Sequence, residues 1–410
     1  LAEISDAFGM LELEEAVARI LATVPPPTSE NVPLADAHHR VLLEQVVSPI
    51  DLPLFDNSAM DGYAVRASDV ATASADTPVR LRVIGKVAAG SSSGSELPSG
   101  AAIRLFTGSP LPVGADAVVM QEDTRLDAGK PDEVSILDGC KLWENVRLRG
   151  EDLRKGTMLT DTGECLTGGQ LALLAAAGIT RVNVARQPLV GLVATGSELR
   201  EPGANLAAGQ IYESNRIALA AFTKTVGAIP RIFPLVTDDL ESTRRALETA
   251  FEKCDLVISS GGVSVGEMDF VKRALTEAGG ELQFWKVAIR PGRPFVFGRW
   301  KEKFLFGLPG NPVSAMVTFL LLVRPALLKW QGATHTVLPA YSGILGESLS
   351  NPGARRHFMR VKVSTEGKVS SAGVQASHLL SSLAAANGLV DLPPNANLPP
   401  GTSIRVLRWE

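Results

Sequence analysis

Cysteine is scarce in this 410-residue chain: Cys140, Cys165 and Cys254 are an odd, scattered set with no C-x-x-C spacing. That excludes a disulfide framework and fits a reducing compartment. The five histidines form no H-x-x-x-H pair and no Cys/His cluster, which excludes a zinc-type or other soft metal site. Basic residues are not in excess: 40 Lys and Arg stand against 44 Asp and Glu. A net charge of -4 argues against a surface that neutralises a nucleic-acid backbone, so any basic site must be local. Long apolar runs are missing too. The most apolar stretch, "MVTFLLLV" at 316 to 323, is too short to span a bilayer. The acidic N-terminus, "LAEISDAFGMLELEE", has no basic segment leading into an apolar one, so no secretory signal is visible. These features describe a soluble cytoplasmic protein with no nucleic-acid or membrane partner, long enough for roughly three domains.

What is present falls into stretches of different texture. Val17, Ile20, Leu21 and Val24 recur at helical spacing after Leu13, and "PPP" at 25 to 27 stops that helix. From about 53 to 145, short β-branched runs ("VRLRVIG", "AIRLF", "AVVMQ") punctuated by Gly, Ser and Pro read as a β-rich domain. "LTGGQLALLAAAGI" predicts a short helix ending at Gly178, expected to pack back on the N-terminal one. Residues 187 to 331 alternate strand and helix: "LVGLVAT", a helix from about 214, "RIFPLV", "DDLESTRRALETAF" with Asp238 or Asp239 as its cap, "DLVISS", a helix from about 268, "PFVFG", "FLFGL", and a helix opened by Asn311-Pro312. Such alternation makes a mainly parallel sheet covered on both faces. The tail, 332 to 410, returns to β texture and suggests a small barrel or sandwich.

Ligands of open α/β sheets sit beyond the carboxyl ends of the strands. Three glycine-bearing loops leave those ends: "ATGSEL" with Thr195 and Gly196, "SSGGVSVGEMD" with Ser260, Gly261, Gly262, Ser264 and Gly266, and "GLPGNPVS" with Pro309, Gly310 and Asn311. Together they can present backbone N–H groups to one anion, although each glycine alone also suits a plain turn. Neither common nucleotide fingerprint fits, because Glu267 stands where the P-loop lysine belongs and "GGVSVG" is not G-x-G-x-x-G. Acids beside a phosphate cradle make sense if a hard cation bridges them, as Mg²⁺ does between carboxylates and phosphate oxygens. Asp269, Asp238 and Glu198 are the candidates, while Asp269 and Asp238 taken singly also suit helix caps.

"FWKVAIRPGRPFVFG" supplies the opposite charge, with Lys286, Arg290 and Arg293 around a Pro-Gly turn. A unit charge pair about 4 Å apart is worth roughly 4 kcal/mol gross at an effective dielectric near 20. A helix N-terminus offers about 0.3 to 1 kcal/mol, so the arginines decide where a small dianion sits. "PLFDNSAMDGYAVR" at 53 to 66 lacks apolar alternation and reads as a polar functional loop, with Asp61 either functional or a turn residue.

"FDNSAMDGYAVR", "TGSPLP", "LRGEDL", "ATGSEL", "GQIYESN", "SSGGVSVGEMDF", "RPGRPFVFG" and "GLPGNPVSA" occur in the order found in the molybdopterin molybdenumtransferase (MoeA) family, to which the gephyrin E domain belongs. The chain resembles that family over nearly its whole length. The resemblance implies a multidomain α/β plus β fold in a homodimer: an elongated discontinuous domain (1–52 with 146–186), a β-rich domain (53–145), a molybdopterin-binding α/β domain (187–331) and a C-terminal β-barrel (332–410). It implies that adenylylated molybdopterin and molybdate are converted, with Mg²⁺, to molybdenum cofactor and AMP, with the adenylyltransferase of the same pathway as a possible partner. By motif, Asp61 and Thr107 would reach the cleft from the partner subunit, and Arg147 and Asp152 lie in "VRLRGED". Glu198, Asp238 and Asp269 match acids tied to catalysis or cation binding, and Lys286 matches a basic active-site residue. Arg290, Arg293, Pro294, Ser314, Arg360 and Ser377 would form the molybdate site. Relatives often carry lysines where Arg290 and Arg293 stand, and an arginine fork changes the geometry of contact. The alternatives are the adenylyltransferase itself, whose α/β domain is similar, and a gephyrin-like peptide-binding scaffold.

Overall fold

The computed structural model describes residues 9–91, 96–263 and 270–409; Ser264, Gly266, Glu267 and Asp269 lie outside the described residues. The central unit is a six-stranded sheet in which Ile229–Ile232, Leu189–Ala194, Leu256–Ser260 and Lys303–Leu308 lie side by side and parallel. Val296–Trp300 follows antiparallel, and Glu281–Trp285 closes that edge. The pleat explains why these strands read as continuous apolar runs. Leu192, Ile258 and Phe306 point into one core, while Val193, Val257 and Leu305 point into another. Helices Asn215–Thr225 and Pro312–Trp330 cover the first face, and Leu240–Lys253 and Val271–Glu277 the second.

The apolar run at 316 to 323 belongs to a longer helix than its sequence suggests. Pro312–Trp330 is long and apolar enough to cross a membrane, yet 78% of its most apolar window is buried within the protein, as in a core helix. Pro325 did not end it. The helix widens to a π-turn over Phe319–Val323, where Arg324 N–H bonds to Phe319 O, and so accommodates a residue with no N–H and a bulky ring.

That helix also decides where the N-terminal helix, Leu13–Thr23, goes. Leu13, Ala16 and Ile20 enter the α/β core beside Leu320 and Leu327. The helix Gly168–Ala176 therefore does not pack on it and joins a separate cluster with Leu42, Leu159, Leu166 and Val184. The N-terminal and middle segments interleave through strand pairs: Ser29–Pro33 with Arg181–Ala185, Val46–Val47 with Met158–Thr160, and Asn57–Ser58 with Val146–Arg147.

The β-rich region is a six-stranded mixed sheet with a core on each face. In the tail, Ala340–Leu345, Arg356–Val363, Lys368–Ser371, Gly388–Leu392 and Ser403–Leu407 close into a five-stranded barrel. A short strand from the α/β unit, Ile289–Arg290, pairs parallel with the barrel strand Arg356–Val363, register Arg290 to His357. The arginine turn is thus stitched to the barrel.

Candidate active site

The four parallel strands end at one sheet edge, where the chain turns into the glycine loops. Thr195, Gly196, Ser260, Gly261, Gly262, Pro309, Gly310 and Asn311 line a cavity of about 620 Å³ there. The loops touch backbone to backbone: at Gly261 (φ +89°) a Cβ would lie 2.5 Å from Thr195 O. Only glycine combines that dihedral with that approach. Asn215 clamps two loops, its Nδ2 donating to Ser260 Oγ and Gly310 O, each at 2.8 Å. Its Oδ1 and the Thr195 hydroxyl are buried without a hydrogen-bond partner, as polar atoms facing a polar ligand's place are.

Glu198 and Asp238 line the same cavity. The cap of Leu240–Lys253 is Asp239, which accepts from Ser242 N–H at 2.7 Å; the Thr237 hydroxyl and this N–H hold its pKa at about 2. Asp238 is thereby released to the neighbouring loop, where it accepts from Ser197 N–H at 2.9 Å and donates its own N–H to Ser197 Oγ at 3.1 Å. Among the described residues no three His, Cys, Asp or Glu side chains gather as a metal cluster. Two carboxylates beside a phosphate cradle nevertheless suit Mg²⁺, which takes one or two carboxylates and completes its shell with phosphate oxygens and water.

A second cavity of about 390 Å³ adjoins the first and shares Pro294, Asn311 and His378 with it. Arg290, Arg293, Ser314 and Ser377 line it, together with Arg355 and Gln375. Asn311 Nδ2 bonds to Ser377 Oγ at 3.2 Å and Val313 N–H to Ser377 O at 3.1 Å, joining the start of the long helix to the barrel loop. Among the described residues, none of these three arginines has a carboxylate partner, unlike Arg356, which pairs with Glu14 and Asp391. Burial, then the charges of Arg293 and Arg290, push the Arg355 guanidinium below its ordinary pKa.

Arg360 lies elsewhere. It is fully buried and outside the cavity lining. Its Nε donates to Ser382 Oγ at 2.9 Å and its Nη2 to Val374 O and Ala376 O at 3.0 and 3.2 Å, so it holds the loop before Ser377 from behind. Lys286 lines neither cavity; at φ +82° it lays Nζ over the Trp285 ring at 3.9 Å. Asp61 accepts from Thr107 N–H at 2.8 Å and Thr107 Oγ at 2.9 Å, bonds that hold its carboxyl below the usual range. This pair, exposed Asp152 and Arg147 on its short strand all lie outside both cavities of their own chain.

Residues 11–178 match the family described as "MoeA N-terminal region (domain I and II)", 191–329 the "Probable molybdopterin binding domain" and 342–409 the "MoeA C-terminal region (domain IV)". The molybdopterin molybdenumtransferase of Haemophilus influenzae is 39% identical over 97% of this chain and 98% of its own. Molybdopterin molybdenumtransferase 2 of Mycobacterium tuberculosis is 40% identical at the same coverages. The chain belongs to the molybdopterin molybdenumtransferase (MoeA) family. A molybdopterin biosynthesis MoeA protein from Pyrococcus horikoshii OT3 superposes with a TM-score of 0.81 at 31% identity, covering 98% of this chain and 100% of that one.

The strand-end glycines, the acids beside them and the charge pattern of the arginine turn pointed to these cavities from sequence, but Asn215, Arg355, Gln375 and His378 were missed. Asn215 ends the motif "GQIYESN" and reads as a helix start, which it also is. Arg355 and Arg356 are adjacent and alike in sequence; Arg355 lies in the bend before the barrel strand and lines the cavity, whereas Arg356 opens the strand and pairs with Glu14 and Asp391.

Proposed function

We propose that this chain inserts molybdate into adenylylated molybdopterin and releases AMP, yielding molybdenum cofactor. The observation that carries this reading is the pair of adjoining cavities, one a glycine cradle edged by carboxylates, the other lined by arginines. The glycine loops, Ser264 and Gly266 included, hold the pterin phosphate and adenylate through backbone N–H groups. Glu198 and Asp238, with Asp269, would hold Mg²⁺, which would supply charge neutralisation at the phosphoanhydride when an oxygen of molybdate or water attacks phosphorus and AMP is displaced. Arg290 and Arg293 bind molybdate, with Ser314 and Ser377 donating hydroxyls and Pro294 stiffening the turn, while Arg360 fixes the loop that carries Ser377. Lys286 adds positive charge near the strand end. A second copy of the chain supplies Asp61, Thr107 and Asp152 in a homodimer, and the adenylyltransferase of the same cytoplasmic pathway supplies the substrate.

The test mixes purified protein, adenylylated molybdopterin and Mg²⁺ and follows AMP by chromatography with and without molybdate. AMP release that rises with molybdate and needs Mg²⁺ supports the reading. Release indifferent to molybdate, or net formation of the adenylate from ATP, overturns it.

A further inference from the structure

We propose that His378 is a general acid–base residue of the reaction, carrying protons from the dithiol of molybdopterin to an oxygen of molybdate where the two cavities meet. The proposal rests on the reading above that the pterin substrate occupies the first cavity and the oxyanion the second. Three residues line both cavities: Pro294, Asn311 and His378. Of these only the imidazole takes up and gives back a proton near neutral pH, and among the described residues it is the one imidazole in either lining. Its neighbours set its place. Ala376 O accepts from Arg360 Nη2 at 3.2 Å, and Ser377 is held by Asn311 Nδ2 on its Oγ and by Val313 N–H on its carbonyl. The ring itself is exposed and, among the described residues, has no hydrogen-bond or ion-pair partner, which leaves it open to a substrate.

Joining molybdate to a dithiol moves protons. Two Mo–S bonds form and one Mo–O bond breaks, while the two S–H protons and that oxygen leave as one water. Molybdenum stays hexavalent, so no oxidant or reductant is consumed. Water leaves readily and oxide does not, so the protons must reach the oxygen as its bond breaks. The guanidiniums of the second cavity hydrogen-bond the oxygens but keep their own protons. An imidazole between sulfur and oxygen accepts a proton from the one and donates it to the other, and ends each transfer in the state in which it began.

The test follows molybdenum-bearing pterin formed by the full chain from adenylylated molybdopterin, Mg²⁺ and molybdate, beside calorimetric titration with molybdate alone. His378→Gln and His378→Ala are both expected to bind molybdate within about threefold of wild type and to form the product at least about a hundredfold more slowly. Free imidazole is expected to speed His378→Ala about tenfold and to leave His378→Gln, whose side chain fills the space, unchanged. Product formation by His378→Gln within about threefold of wild type, a loss of molybdate affinity that accounts for the slower turnover, or no rescue of His378→Ala each overturns the assignment. If the wild-type chain forms no molybdenum-bearing pterin, the functional reading itself fails. If it does and both variants match it, only the role of His378 fails.

Discussion

Gly261 and Gly203 share nearly the same backbone dihedral, φ +89° and +91°, but a Cβ on Gly203 would meet open space whereas one on Gly261 would strike Thr195 O. Alanine at Gly203 therefore carries only the dihedral cost, about 1 kcal/mol, while alanine at Gly261 adds a backbone clash, for about 2 to 3 kcal/mol together. Thermal melts should rank the two variants in that order, and only Gly261→Ala should reduce AMP release. His357 makes a prediction about pH. It is 3% exposed, neither ring nitrogen has a hydrogen-bond partner, and burial followed by the charges of Arg290, Arg360 and Arg355 pushes its pKa from 6.5 to about 4. The unfolded chain then binds the proton more readily than the folded one. The contribution is complete above pH 6.5 and is lost as pH falls toward 4, a change on the order of 3 kcal/mol. His357→Gln should flatten the denaturant-measured stability over that window; an unchanged slope would assign the loss to other groups.

Among the elements, the arginine turn depends most on what lies beneath it. Gly292 takes φ +106°, and a Cβ there would lie 2.5 Å from Thr318 Cγ2, a buried methyl on the long helix. Gly292→Ala should lift the turn off the helix and weaken molybdate binding about tenfold while adenylylated pterin still binds. Adding Thr318→Ser removes the methyl but not the dihedral strain, so calorimetry should find partial recovery; full recovery or none would break this account. The elements were also where the sequence was most legible. Alternating apolar runs gave the sheet, Asn311-Pro312 gave the start of the long helix, and glycines marked the strand ends. The sequence could not reveal which of Asp238 and Asp239 caps a helix, because both side chains can accept an N–H. Only the neighbouring loop, with Ser197 in reach, settles it. Nor could the stripe Leu13, Ala16, Ile20 announce its partner, since apolar periodicity says that a face is buried and not against what.

At the scale of the molecule, the site is assembled by contacts distant in sequence. Strand Ile289–Arg290 joins the barrel at Arg356–His357, and Val313 bonds to Ser377, so the arginine-lined cavity exists only when the α/β unit and the barrel dock. One part stays outside it: Asp61 and Thr107 bind each other at the end of the β-rich sheet, away from both cavities of their own chain. If a second copy delivers them, the two halves of a cleft can be broken in different subunits. Asp61→Ala and Glu198→Ala dimers should each be inactive. Random exchange of their subunits makes half the dimers mixed, and each mixed dimer has one cleft with both groups intact, so AMP release should return to about a quarter of wild type. Had Asp61 served its own cleft, every cleft in a mixed dimer would lack one group, and exchange would restore nothing. Size-exclusion chromatography with light scattering establishes whether subunits pair at all, and the recovered activity then shows which chain Asp61 serves.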